Sequence, residues 1–515
     1  MNKSEWLENA IFYEIYPQSF NDTNADGIGD FKGIEEKLDY IADLGCNALW
    51  LNPCFKSPFL DAGYDISDYY LAAPRYGTNA DLQRLFEAVH KHGMHILLDL
   101  VPGHTSWEHP WFKASCRAER NEFTDRYIWT DNTWEAPEGM NALIGISERV
   151  GAAGVNFFSH QPALNYGYYK PKPDKPWQQS MDSPGARATL EAMKDVMRFW
   201  LKAGCDGFRV DMAHSLVKND EDSKGTISLW QNVREFLDRE FPGAAMVSEW
   251  GEPDKSMASG FHMSFLLHFG DSRYNDLFRC EKPFFAGNGD ASEFVKKYEH
   301  NLDISGGKGL MCIPSGNHDM TRLSKYVSGE KAKIAFAFIL SMPGAPFIYY
   351  GDEIGMRYIE NIPSVEGGYE RTGSRSPMQW DSTVNAGFSA APSDKLYIRI
   401  DPDEDRPTAA AAIADDNSLW NQIKRMNAVR KQHPALQSSG AVEFVYCEKD
   451  SYPLAYTRSS GNEKLLIVLN PSDREVSFEY EGRLGEPVYS LGGAVTQTGK
   501  TVTVPANSAL WAKTE

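Results

Sequence analysis

Short, almost wholly apolar runs alternate along this chain with longer stretches whose apolar positions recur every three or four residues. The runs span Ile11 to Tyr16, Ala48 to Asn52, His95 to Val101, Gly207 to Asp211, Ala245 to Glu249, His262 to Phe269, Leu310 to Pro314 and Pro346 to Tyr350. Apolar runs of this length bounded by polar turns read as strands buried on both faces. The helical period covers Gly33 to Leu44, Asp81 to Lys91, Leu190 to Ala203, Ile227 to Phe241, Ala291 to Asn301 and Glu330 to Ser341, with a last stretch at Leu419 to Lys431. Eight strands joined by helical or irregular crossovers predict an α/β fold, a (β/α)8 TIM barrel.

Two stretches break the alternation. Residues 105–169 follow the third strand with Trp, Gly, Pro and Asn and no clear period. A long insert at that face predicts an inserted domain that walls a cleft. From residue 434 the pattern turns to alternating strands such as LLIVLN and TVTVPA with Gly-rich turns, which predicts a C-terminal all-β sandwich domain over 434–515. The catalytic barrel is then expected over 1–104 and 170–433.

Four acidic residues, Asp99, Asp211, Glu249 and Asp319, fall at or just beyond strand ends. In such barrels chemistry sits at the carboxyl ends of the strands. Two carboxyl groups suffice to cleave a glycosidic bond, one attacking or stabilising the oxocarbenium-like carbon and one donating a proton to the leaving oxygen. Asp211 in GFRVDM, Glu249 in AMVSEW and Asp319 in GNHD are the candidates.

A second chemical site is legible in NDTNADGIGD. Oxygen donors at Asp22, Asn24, Asp26, the Ile28 carbonyl and Asp30 have the alternate spacing that surrounds one hard cation, with Gly27 allowing the turn. A turn held by Asx caps without metal is the competing reading.

Composition narrows the partners. A net charge of −19 argues against nucleic acid and anionic membrane surfaces, which need a positive footprint. With no long apolar span and no apolar leader in MNKSEWLENAIFYEIYP, a cytoplasmic protein is expected. Seven scattered cysteines form neither a zinc pattern nor an even disulfide framework, so free thiols are expected.

The ordered set IFYEIYPQSF, GYDISDYY, DLVPGH, QPALN, GFRVD, SEW, GNHD and GAPFIYYGDEIG resembles the α-amylase family of glycoside hydrolases (family 13), and within it the α-glucosidase and oligo-1,6-glucosidase type. The resemblance implies Asp211 as nucleophile, held ionised by Arg209 on the same strand face, and Glu249 as acid and base. It implies Asp319 as the carboxylate gripping the sugar hydroxyls beside His318, Tyr64 as stacking platform and His104 as hydrogen-bond donor. Asp61 matches the residue that exo-acting members set against the non-reducing end. The Asp22 to Asp30 loop would hold structural Ca²⁺ or Mg²⁺. No organic cofactor is implied, and the substrate would be a small α-glucoside or oligosaccharide.

Three departures from the family pattern bear on specificity. Gly103 stands where calcium-dependent amylases carry an Asn ligand, Ala163 where oligo-1,6-glucosidases carry Asp, and Met212 where related enzymes carry a small residue or Val. The first reading is an exo-acting α-glucosidase. A transglycosylase or isomerase such as trehalose synthase or sucrose isomerase is the alternative, and an endo-acting α-amylase the second. Linkage, chain length, the balance between hydrolysis and transfer, and oligomeric state stay open. The stretch from Gly355 to Asp401 is expected at the entrance, and Arg406 is expected to reach Asp61.

Overall fold

In the computed structural model, which describes residues 4–515, all eight predicted runs are strands. They are β1 (Phe12–Ile15), β2 (Ala48–Leu51), β3 (His95–Leu100), β4 (Gly207–Val210), β5 (Ala245–Ser248), β6 (Met263–Phe265), β7 (Leu310–Cys312) and β8 (Phe347–Tyr349). They form one parallel sheet in the order β7-β6-β5-β4-β3-β2-β1-β8. A bridge between Pro314 and Phe347 closes it, and the Ser315 N–H donates to the Phe347 carbonyl at 2.9 Å. The (β/α)8 barrel is confirmed.

Because side chains alternate across a strand, every second residue points into the barrel. Phe12, Ala48, Trp50, Leu97, Ala245, Val247, Met263, Phe265 and Phe347 fill that interior in one buried cluster. Phe12 stacks on Phe347 at 4.2 Å, and Phe265 meets Phe347 edge-on at 4.7 Å. Burying one such aromatic contributes about 1.5–3 kcal/mol, and a Trp50→Ala change would cost about 3–5 kcal/mol. One step further toward the carboxyl end, the same inward face changes character. Phe12 is followed by Glu14, Leu97 by Asp99 and Gly207 by Arg209. The apolar interior thus ends in a charged layer, on which the chemistry stands.

The crossover helices form where the period predicts them: α1 (Asn79–Lys91), α2 (Pro184–Ala203), α3 (Lys224–Glu240), α4 (Ser292–Ser305), α5 (Gly329–Ser341) and α6 (Leu419–Gln432). Helix α1 starts at a capping box, in which Thr78 and Asp81 each accept the other's backbone N–H. It buries Leu82, Leu85, Phe86 and Val89 against the barrel. The expected first helix is divided into Phe31–Glu35, capped at its start by Asp30 through the Gly33 N–H, and Leu38–Leu44, with the break at Lys37, whose φ −109° and ψ 7° leave the helical region.

After β3, the insert carries a short helix, Pro110–Ser115, and a hairpin of Asn141–Leu143 with Ala153–Val155. The end of the chain is all β. Strands β9 (Ala441–Tyr446), β10 (Leu454–Ser460), β11 (Glu463–Asn470), β12 (Val476–Glu479), β13 (Leu484–Leu491), β14 (Thr496–Thr498), β15 (Thr501–Val504) and β16 (Ser508–Thr514) make two antiparallel sheets. Their orders are β9-β10-β11-β16-β13 and β12-β15-β14. Leu466, Val468, Phe478, Val502, Val504 and Leu510 form a buried cluster shared by the two sheets. Buried Arg458 fastens this part to the barrel: it donates to the Ser341 carbonyl at the end of α5 and to the carbonyls of Gln437 and Gly440. Within the barrel, Arg430 of α6 donates to the carbonyls of Leu340, Met342 and Gly344, where α5 ends. Among the described residues all seven cysteines are free, and no helix is long and apolar enough to cross a membrane.

Candidate active site

Register brings the charged layer together. Asp99 on β3 and Arg209 on β4 are direct strand partners. Arg209 Nη1 lies 2.9 Å from Asp99 Oδ1 and 3.1 Å from Asp211 Oδ1, while its Nη2 lies 2.9 Å from Glu249 Oε2. One guanidinium therefore holds three carboxylates, two of them the expected nucleophile and acid. Its fork geometry allows this, which an ammonium would not.

The expectation that Arg209 keeps Asp211 ionised needs correction. Burial, and next the charge of Glu249, push the Asp211 carboxyl well above the ordinary carboxylate range, although Arg209 pulls the other way. Arg209 is divided among three anions, so its pull on Asp211 does not offset burial and the neighbouring carboxylate. A retaining glycosidase needs one ionised and one protonated carboxyl group.

The turn after Asp211 is strained for a purpose visible in the geometry. Met212 is left-handed, with φ 41° and ψ 44°, a conformation that costs a non-glycine residue about 1–3 kcal/mol. It directs the Met212 N–H onto Glu249 Oε2 at 3.0 Å. The Met212 side chain lines the cavity, where Asn156 Nδ2 lies 3.9 Å from its sulfur.

Asp319 lies in the loop beyond β7. Its Oδ1 accepts from Arg371 Nη1 at 2.7 Å and Arg375 Nη2 at 3.0 Å, and its Oδ2 lies 3.3 Å from His318 Nε2. Burial raises its pKa, but the His318 charge and then the two arginines outweigh it and hold the carboxyl well below its usual range. His318 is pushed up to about 9: burial opposes its charge, yet Asp319 and Glu14 prevail. Its Nδ1 lies 2.9 Å from Glu14 Oε1, and Tyr64 Oη is 2.7 Å from its Nε2. Tyr64 also donates to Asp99 Oδ2 at 3.0 Å, so the ring is fixed from its hydroxyl end.

Burial pushes His104 down to about 3 and keeps it neutral. Its Nε2 lies 3.2 Å from the Tyr64 carbonyl and its Nδ1 3.1 Å from Asn156 Nδ2, so both nitrogens are engaged within the protein. Asp61 is buried and raised to about 6, by burial first, with Arg371 and Gln161 opposing. Gln161 Nε2 donates to it at 2.7 Å, and Arg371 Nη2 lies 3.7 Å away. Arg406 does not reach Asp61. It turns back to the Asp403 carbonyl at 3.0 Å, and Arg371 occupies the position expected of it.

These groups open on one cavity of about 610 Å³ lined by Asp61, Tyr64, His104, Asp211, Glu249 and Asp319. Phe157 and Phe158 of the insert, with Phe269, Tyr369 and Arg371, complete its wall. A larger cavity of about 750 Å³ lies at the amino ends of β6 and β7 against β9, away from these carboxylates. Reading the sequence did not single out Glu14, Gln161, Arg371 or Arg375. Glu14 carries a signal, a lone charge inside an apolar strand; the arginines lie in the 355–401 stretch expected at the entrance, but nothing in its irregular pattern marks them individually.

The 22–30 loop is held by its own oxygens. Asp22 accepts from the N–H groups of Asn24, Ala25 and Gly27, Asn24 from Asp26, and Asp26 from Ile28. Asp30 accepts from Thr23 and Gly33. Among the described residues no three His, Cys, Asp or Glu side chains converge as a metal centre. The donor set nonetheless suits a hard cation: all oxygen, three carboxylates, and left-handed Gly27 at the turn.

The departures from the family pattern also have structural correlates. A Cβ at Gly103 would stand 2.6 Å from Asn156 Nδ2. Ala163 is fully buried with Ile128 and Tyr168, and its backbone bridges to His104.

Comparison with known proteins agrees with this geometry. The family described as alpha amylase, catalytic domain, matches residues 14–439. An oligo-1,6-glucosidase from Parageobacillus thermoglucosidasius is 32% identical over 92% of each chain. A trehalose synthase/amylase from Mycolicibacterium smegmatis is 33% identical over 84% of this chain and 77% of its own. The crystal structure of a trehalulose synthase from Pseudomonas mesoacidophila superposes with a TM-score of 0.80 at 26% identity, covering 99% of both chains. With Asp211, Glu249 and Asp319 gathered at the carboxyl ends of a closed barrel, this chain belongs to the α-amylase family of glycoside hydrolases.

Proposed function

We propose that this enzyme is an exo-acting, retaining α-glucosidase of short α-glucosides. The observation that carries the reading is the blocked end of the cavity, where Arg371 lies between Asp61 and Asp319 at 3.7 and 2.7 Å. An endo-acting enzyme needs a groove that lets a chain run through, and this barrier favours a pocket that admits one terminal sugar.

The retaining reaction requires Glu249 to enter it protonated and Asp211 ionised. Asp211 attacks the anomeric carbon as the bond to the leaving oxygen breaks, and Glu249 gives its proton to that oxygen. The ionised Glu249 then takes a proton from water, which attacks the same carbon and frees Asp211. Two inversions retain the α configuration. Asp319, kept anionic by His318 and two arginines, accepts hydrogen bonds from the sugar hydroxyls, and Tyr64 and His104 wall the ring. The Asp22 to Asp30 loop is read as the seat of a structural Ca²⁺ or Mg²⁺, held by Asp22, Asn24, Asp26, the Ile28 carbonyl and Asp30. That ion would supply cross-linking of the loop.

An isomerase or transferase is the second reading. Phe157, Phe269 and Tyr369 are exposed at the cavity wall and could retain a leaving sugar while excluding water. The trehalose and trehalulose synthases among the similar proteins keep this reading open. A product time course on maltose, isomaltose, sucrose, trehalose and a maltodextrin, with Asp211→Asn as blank, decides. Free α-glucose supports the α-glucosidase; a new disaccharide with little glucose overturns it in favour of the isomerase.

A further inference from the structure

We propose that Asn156, on the insert, is a positioning residue of the sugar site: it fixes the tautomer of His104 and the lie of Met212, and through Met212 sets which α-linkage the cavity accepts. Only the last clause rests on the reading as an α-glucosidase.

The tautomer follows from what each neighbour can do. A backbone carbonyl only accepts, so the 3.2 Å contact with the Tyr64 carbonyl puts the His104 proton on Nε2. Burial keeps the ring neutral, which leaves Nδ1 a bare acceptor. Asn156 Nδ2 lies 3.1 Å from it and donates. The ring is buried, so Nδ1 without that donor would be left unsatisfied.

Two of the departures from the family pattern meet at the same amide. Asn156 Nδ2 lies 3.9 Å from the Met212 sulfur, a weak acceptor. It also stands over Gly103, where a Cβ would come within 2.6 Å of it. Gly103 thus leaves the room that the amide fills, and the amide reaches His104 and Met212 at once. Met212 faces the leaving side of the reaction, because its N–H binds Glu249 Oε2 and its side chain lines the cavity. A methionine is unbranched and adapts its shape readily. A contact that pins it turns a yielding wall into a fixed one.

The loop that carries Asn156 is closed on itself and anchored at the far end of the sugar pocket. The Asn156 N–H donates to the Gln161 carbonyl at 3.0 Å, and the Gln161 N–H to the Phe158 carbonyl at 2.9 Å. The Phe158 N–H donates to Gln161 Oε1 at 2.8 Å, and Gln161 Nε2 to Asp61 Oδ2 at 2.7 Å. One short loop therefore ties Asp61, His104 and Met212 into a single unit. A sugar seated against Asp61 is held by the same loop that shapes the leaving side.

The test joins long-range proton–nitrogen NMR of isotope-labelled histidine, in which His104→Gln identifies the His104 signals, to kinetics on maltose and isomaltose. In the wild type Nε2 is expected to carry the proton and Nδ1 to be bare. Asn156→Asp, whose carboxylate accepts where the amide donates, is expected to bring a proton to Nδ1. Gly103→Ala, which pushes aside only the end of a side chain, is expected to shift the same Nδ1 signal. Asn156→Ala is expected to draw the ratio of kcat/KM on maltose to that on isomaltose toward one by about tenfold, the low end of what one methylene is worth in a pocket. General damage to the fold would lower both values alike. Unmoved Nδ1 signals in Asn156→Asp and Gly103→Ala, or an unmoved ratio in Asn156→Ala, overturn the inference. Turnover of neither disaccharide counts against the proposed function. The histidine signals, which need no turnover, then decide the inference, a moved Nδ1 sustaining it and an unmoved one overturning it.

Discussion

Arg209 and Asp99 face each other in register on adjacent barrel strands, 2.9 Å apart and almost fully buried. The pair is the floor of the active site, since the same guanidinium carries Asp211 and Glu249. Breaking such a group by removing its cation leaves buried charge uncompensated and costs about 3–5 kcal/mol. Arg209→Met is expected to lose that much in urea denaturation, and Asp99→Asn added to it to recover part. An additive or worse double variant would mean the pair is not coupled.

Glu249→Gln tests the acid role. The loss in kcat/KM on maltose is expected to be about 10²–10⁴. On an aryl α-glucoside with a phenolate leaving group, which needs little protonation, the first step is expected to suffer far less. Equal losses on both substrates would remove Glu249 from the leaving oxygen.

Stability should fall in two steps as pH rises. Glu353, bonded to the Tyr13 and Tyr40 hydroxyls at 2.8 and 2.7 Å, is raised by burial from 4.5 to about 7. The folded protein therefore holds that proton more tightly, and stability declines as pH climbs from about 4.5 to about 7. His318 is raised from 6.5 to about 9, so its contribution is complete below pH 6.5 and is lost as pH passes about 9. Each step is on the order of 3 kcal/mol. Glu353→Gln should flatten the lower step and His318→Gln the upper one in Tm measured against pH.

The 22–30 loop gives a metal prediction. Calcium or magnesium at about 100 times its Kd is expected to add about 2.7 kcal/mol of stability. Chelation should lower Tm and leave kcat at room temperature unchanged. Asp26→Ala, at an exposed position of the loop, should abolish the response to metal. An unchanged Tm on chelation would leave the loop as a turn held by its own Asx bonds.

Much of the fold was legible because its signals are local. The eight apolar runs formed the eight strands, each trimmed by a residue or more. On β4 and β5 the trimmed residues are Asp211 and Glu249, which line the cavity while their N–H groups still bond Leu100 and Val210. The start of the first helix is a local event as well, but the Asp30 that caps it reads in the sequence as a metal ligand.

The sequence by itself determined the barrel, the positions of Asp211, Glu249 and Asp319 at its carboxyl end, and the family. Apolar period and motif order are carried by near neighbours along the chain. Only the tertiary structure decided which cation serves which carboxylate. That Arg371 and not Arg406 stands at Asp61, and that Arg371 and Arg375 join the neighbouring His318 in keeping Asp319 anionic, depend on loops returning across dozens to hundreds of residues. The raised proton affinity of Asp211 is likewise a tertiary property. It arises from burial and from a second carboxylate brought to the same guanidinium, and neither exists until the barrel closes.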